Sequence, residues 1–172
     1  MMLPAILDFE ASGLGRGSYP IEVGYILSDS RSGCMLIRPE ADWERWDPKA
    51  EQLHGIPRSL LLRNGRSAVE VARSLNNALA GLTLYSDAWG NDQSWLALLF
   101  DRAGFSALFR LEALRSVLTE AQAQIWQSTR QTVARELALE RHRASSDARI
   151  LQQTYLRTLE QTGAAPLLRK PA

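Results

Sequence analysis

The chain has 172 residues, 45% of them hydrophobic and 23% charged, with a net charge of +1. That composition suits one globular domain with a proper core, and it excludes a molecule that holds nucleic acid by overall charge, so any polyanion contact must be local. Cys34 is the only cysteine, which excludes an internal disulfide and a cysteine-built metal cage. No signal-like start and no apolar run of about 18 residues is present, so the sequence reads as cytoplasmic and soluble, with no membrane partner.

The elements follow in order. Leu3 to Phe9 reads as a first strand, and Gly13, Gly15 and Gly17 loosen the loop behind it. Pro20 to Ser28 reads as a second strand, Ser30 to Gly33 as a turn, and Cys34 to Ile37 as a third strand, making an antiparallel meander. A polar loop from Arg38 to Pro48 carries Trp43 and Trp46, and Glu51 to His54 forms a helical turn ended by Gly55. Ser67-x-x-Glu70 is a capping box, opening a helix with Ala68, Ala72, Leu75 and Leu79 on one face and Gly81 at its end. Leu82 to Ser86 is a short strand, Asp92 begins a mostly apolar helix ended by Gly104, and Ala107 to Leu111 is a last strand. Ala113 to Leu118 is short and helical. Thr119-x-x-Gln122 caps a helix with Ile125, Thr129, Val133 and Leu137 at steps of four. The last helix begins near Ser146 and carries Leu151, Tyr155 and Leu159 until Gly163. Strands first, then helices mixed with strands, predict an α/β sheet with helices on its faces. One domain spans 1–163, and 164–172 form a loose tail.

Acids stand at the element boundaries. Asp8 and Glu10 end the first strand on one face, because side chains alternate along a strand. Two carboxylates so placed repel unless a cation lies between them, and hard cations such as Mg²⁺ favour oxygen ligands. Asp92 and Asp147 each sit in the first turn of a helix, where the dipole alone explains an acid. His142, one of only two histidines, lies five residues before Asp147 and titrates near neutral pH.

Together, Asp8-x-Glu10, Asp92 followed by Trp95-Leu96, and His142-x4-Asp147 resemble the three motifs of the DEDDh (DnaQ-like) 3′→5′ exonucleases, the superfamily of ribonuclease T, oligoribonuclease and proofreading subunits. The resemblance spans residues 3 to 160 and includes Ala11-Ser12-Gly13-Leu14 after the first acids and Leu53-His54-Gly55-Ile56 between motifs. It implies a ribonuclease H-like α/β fold, a central mixed five-stranded sheet with the antiparallel meander first and helices on its flanks. It implies two divalent cations, Mg²⁺ or Mn²⁺, on Asp8, Glu10, Asp92 and Asp147. Asp8 would bridge both, Glu10 and Asp147 would complete the tighter site, and Asp92 would reach the other partly through water. His142 would be the general base. The partners implied are single-stranded DNA or RNA 3′ ends, or short oligonucleotides, cut to nucleoside 5′-monophosphates. Ala11, Ser12, Gly13, Leu14 and His54 would meet the terminal nucleotide. Relatives of this length often dimerise, so a homodimer is part of the same implication.

The second motif departs from the family's usual text. Asp87 stands where an Asn or His is common, and Asn91 stands in place of a Phe. Asp87 is therefore an alternative to Asp92 as second-motif carboxylate, and a charge there would repel a phosphate. Trp89 is the aromatic candidate for stacking on a base, while Trp95 reads as core. Arg141, Arg143 and Arg16 are candidate phosphate contacts. Two other readings are a catalytically silent nucleic-acid-binding relative and a different metal hydrolase such as a nucleotide phosphatase.

Overall fold

The computed structural model describes residues 3–140 and 142–168, so Arg141 and the last four residues of the tail lie outside the description. The strands are β1 (Ala5–Ala11), β2 (Pro20–Ile26), β3 (Ser32–Leu36), β4 (Thr83–Ser86) and β5 (Arg110–Ala113). They form one mixed sheet in the order β3-β2-β1-β4-β5. The pairs β1/β2 and β2/β3 are antiparallel, while β1/β4 and β4/β5 are parallel. The helices are α1 (Pro48–His54), α2 (Arg58–Asn64), α3 (Ala68–Leu79), α4 (Trp89–Ala103), α5 (Glu120–Leu137) and α6 (Ala144–Thr162), with a 3₁₀ turn at Leu114–Val117. Among the described residues, no helix is long and apolar enough to cross a membrane.

The alternation of β1 separates two cores. Leu7 and Phe9 face a cluster that includes Val71 and Leu75 of α3 and Leu96 and Leu99 of α4. Ile6 faces the other way, with Ile26 of β2, into a cluster with Ala148, Leu151, Tyr155 and Leu159 of α6. The sheet is thus covered on both faces, and Asp8 and Glu10 continue the Ile6 row towards the start of α6.

Local chemistry explains most element ends. At α3, Ser67 Oγ accepts from Glu70 N–H at 3.3 Å while the Glu70 carboxylate accepts from Ser67 N–H at 2.9 Å, the expected capping box. Gly55 and Gly104 close α1 and α4 in the left-handed conformation. The structure moves several boundaries. The last strand begins at Arg110 instead of Ala107, because the Asn76 side chain holds Ser106 O (3.0 Å) and Leu108 N–H (2.8 Å) in a turn. Helix α4 begins at Trp89, three residues ahead of Asp92. Helix α2 carries no clear apolar period, since only Leu61 of its three consecutive leucines is buried. On α5, Thr129 and Val133 of the expected stripe are buried but Leu137 is exposed. Gln122 packs instead against α6, donating to Thr158 Oγ1 at 3.2 Å. The tail starts packed, with Ala164 and Leu168 against the α6 cluster.

Gly24 of β2 sits opposite Asp8 and directly beneath the first turn of α6. A Cβ there would run into the backbone of Ala144 and Ser145, reaching within 2.7 Å of Ser145 Cα. Gly24→Ala is expected to destabilise the fold by about 3 kcal/mol in urea denaturation. Gly90→Ala, where a Cβ meets nothing within 4 Å, is expected to be neutral or to gain about 0.5–1 kcal/mol in the same assay.

Candidate functional site

The site is built at the carboxyl ends of β1 and β4, which run parallel with Ile6 beside Tyr85. Asp8 is buried and Glu10 is partly buried, both on the α6 face of β1. The β1/β2 register shifts between Glu10 and Ala11, and such an irregularity re-aims the side chains next to it. Ser86 ends β4, and its hydroxyl donates to Asp92 Oδ2 from the first turn of α4. Asp92 is 1% exposed, and its Oδ1 has no hydrogen-bond partner among the described residues. A buried carboxylate oxygen without a donor is costly to keep, and a cation would satisfy it.

The third part comes from the far end of the chain. Glu22 lies opposite Glu10 across the β1/β2 ladder and is fully buried. Its carboxylate accepts from Arg143 Nη2 at 2.7 Å, from Arg143 Nε at 3.1 Å and from the backbone N–H of Ala144 at 2.8 Å. Glu22 therefore ties down the first residue of α6, which explains why that helix opens at Ala144 and not at Ser146. The guanidinium expected at a phosphate is committed to this pair instead. One turn further, Asp147 faces Glu10. Ligand atoms of Glu10, His142 and Asp147 all lie within 4.8 Å of one another. His142 is held in the left-handed region, at φ 58°, and its N–H donates to Asp147 Oδ2 at 3.1 Å. Such a conformation costs of order 1–3 kcal/mol in a residue with a side chain, and here it turns the imidazole towards the acids.

The acids are charged only at a cost. Burial, followed by repulsion from Asp92, Asp87, Glu10 and Asp147, pushes the Asp8 carboxyl well above its usual range. Burial, followed by repulsion from Asp147, Glu22 and Asp92, lifts Glu10 to about 8. Burial lifts Asp92 to about 7 against the opposing bond from Ser86. Asp92, Glu10 and Asp147 all lie within electrostatic reach of Asp8, and together the four are a donor set that fits hard divalent cations.

The flanking residues fall into two groups. Ala11, Ser12 and Gly13 leave β1 buried, and Leu14 ends the run 67% exposed at the loop tip. Ser12 Oγ accepts from Tyr19 N–H at 3.1 Å, and Arg45 donates to the carbonyls of Leu14 and Arg16, fixing the loop. His54 is buried, with Nδ1 accepting from Ile56 N–H at 3.0 Å and Nε2 without a partner among the described residues. Desolvation lowers its pKa, and Glu51, Glu22, Arg143 and His142 all act on its charge. Trp89 is 42% exposed at the start of α4, its indole donating to Leu111 O of β5 at 2.9 Å. Trp95 is buried as core. Trp43 stacks on Tyr19 at 5.0 Å. Asp87 is paired, accepting from Arg130 Nη1 at 2.8 Å, so its charge is partly neutralised from α5. Glu22 and Gly24 belong to none of the sequence motifs above. The available signal was an acid inside an otherwise apolar strand, two residues before a glycine.

No family model matches the sequence, and no curated protein matches it. Solved structures do. An Exonuclease I from E. coli in complex with a dA16 oligonucleotide aligns with a TM-score of 0.69 over 94% of this chain, at 11% identity. The fold is shared with Exonuclease I. An Exonuclease I from Methylocaldum szegediense aligns at a TM-score of 0.68 over 94% of the chain with 13% identity, and a zinc-bound E. coli Exonuclease I–ssDNA complex at 0.65 over 94% with 12%. The chain spans about two-fifths of the length of these structures, 41% or 42% of each.

The raised carboxyl pKa values set a pH dependence. The folded protein holds protons that the unfolded chain has already released, so stability is greatest below the ordinary carboxylate range and is lost as pH rises. For Glu10 the window runs from the ordinary 4.5 to about 8. The metal-free Tm is expected to fall across it. Mn²⁺ is expected to raise Tm by at least ~3 °C more at pH 8 than at pH 5.5. Differential scanning fluorimetry with and without EDTA measures both.

Proposed function

We propose that the chain is a metal-dependent 3′→5′ exonuclease of the ribonuclease H-like class. It would release nucleoside 5′-monophosphates from single-stranded DNA or RNA ends or from short oligonucleotides. The observation that carries this reading is the meeting of Glu10, His142 and Asp147 within 4.8 Å, beside the buried Asp8 and Asp92. A site for binding alone gains nothing from acids crowded closely enough to raise the pKa of Asp8 and Glu10. The fold shared with Exonuclease I structures, several of which hold single-stranded oligonucleotides, supports the substrate class.

Glu10, Asp147 and Asp8 would hold one cation, and Asp8 with Asp92 the second. Bound there, two Mg²⁺ or Mn²⁺ ions supply Lewis acidity to the attacking and leaving oxygens of an in-line displacement and make water a better nucleophile at neutral pH. The side chains do the rest. His142 accepts the proton of the attacking water, its backbone N–H already bonded to Asp147. Leu14, exposed at the tip of a loop clamped by Arg45, presents an apolar surface to the terminal base. His54 Nε2 offers the nucleotide a polar partner from a buried position. Asp92 is the second-motif carboxylate, because Asp87 is committed to Arg130.

The decisive assay uses 5′-labelled single-stranded DNA and RNA with Mg²⁺ or Mn²⁺, where one-nucleotide steps from the 3′ end are expected. Asp8→Asn and Asp92→Asn are each expected to lower kcat at least ~10³-fold, about what loss of a key electrostatic group costs. His142→Ala is expected to lower it ~10²- to 10⁴-fold, and Asp87→Asn less than tenfold. Loss of activity in Asp87→Asn alone overturns the Asp92 assignment. Release of inorganic phosphate without shortening of the strand overturns the exonuclease reading.

A further inference from the structure

One face of α5 has no role in the chemistry above. Gln127, Arg130, Gln131, Ala134 and Arg135 recur at steps of three and four, so they share that face. They line a trough of about 490 Å³ that ends at Asp147 and Ile150 of α6. A second hollow of about 300 Å³ continues past Gln127 and Arg130 to Asp87, Arg115 and Trp126. Arg130 is the charged residue common to both, and it bonds Asp87 in the wall of the second hollow. The bond to Asp87 at 2.8 Å fixes its direction while using one of five N–H donors. Three arginines thus line two hollows that share Gln127 and Arg130, and the larger hollow also has Asp147 of the proposed metal centre in its wall. The chain's net charge is +1, so this alignment is local.

We infer that the α5 trough is the track for the sugar–phosphate backbone of the strand behind the scissile nucleotide, with Arg130 and Arg135 contacting successive phosphates. This rests on the exonuclease reading. Asp87 acts as the positioning residue. An aspartate near a phosphate path is tolerated because its charge is spent on orienting the arginine that meets the phosphate. The track recognises phosphodiesters, which DNA and RNA share, and contacts to backbone carry no sequence preference.

The test compares wild type with Arg130→Gln, Arg135→Gln, the double variant and Arg130→Lys. The substrates are single-stranded deoxy- and ribo-oligonucleotides of about twelve nucleotides and the p-nitrophenyl ester of thymidine 5′-monophosphate, which has no upstream backbone. In the double variant, KM for the oligonucleotides is expected to rise at least tenfold more than KM for the ester. The slope of log KM against log salt is expected to fall by about 1.4, at ~0.7 per phosphate contact on a single strand. Arg130→Lys is expected to keep the slope but lose part of the affinity, because lysine keeps the charge and not the fork. Equal effects of the double variant on ester and oligonucleotide, or an unchanged salt slope in protein with a wild-type melting curve, overturn the track alone. A wild type inert towards ester and both oligonucleotides overturns the exonuclease reading and the track with it. A slope change with only one sugar type confirms the track and assigns the substrate.

Discussion

One buried acid determines where the last helix goes. Glu22 is inside the protein and cannot remain there charged without partners. Arg143 and the Ala144 N–H supply them, and both belong to the start of α6. Gly24, two residues along the same strand, removes the side chain that would hold the helix off the sheet. Charge and close approach act together: Glu22 selects which end of α6 comes down, and Gly24 lets it come down far enough. Asp147 arrives beside Glu10 as a result. Without this joint, Asp147 would have no fixed distance from Glu10.

The neighbourhood of that joint is expensive. Asp92, Glu10 and Asp147 raise the pKa of Asp8, Asp147 and Asp92 raise that of Glu10, and Asp92 Oδ1 is buried with no donor among the described residues. Packing elsewhere must offset this, and it does so on both sides of the sheet, through the α3/α4 cluster and the α6 cluster. Concentrated repulsion and a strained His142 backbone are features that proteins keep where chemistry is done. The same charges that weaken the fold make a donor set suited to a hard cation.

Much of this was legible in the sequence, for identifiable reasons. Apolar runs bounded by turn residues gave the meander, and the Ser67/Glu70 and Thr119/Gln122 boxes marked two helix starts to the residue. Such signals are local, so they survive without knowledge of the fold. The acids were legible as candidates because Asp8 and Glu10 share a face by geometry alone. Boundaries set by distant groups were not legible. Arg110 begins β5 because Asn76 holds the preceding turn, and Ala144 begins α6 because of Glu22. Likewise, Asp87 reads as a misplaced negative charge until Arg130, 43 residues away, is seen to pair with it. Arg143 reads as a candidate phosphate contact until its buried partner Glu22 is found.

The order in which the pieces occur along the chain also has a consequence for synthesis. Asp8 and Glu10 emerge from the ribosome early, Asp92 midway, and Asp147 only with the final helix. Until α6 seats on Gly24 and Glu22, the early acids have neither their histidine nor their fourth carboxylate. In a nascent chain the proposed site therefore stays incomplete until α6 has folded.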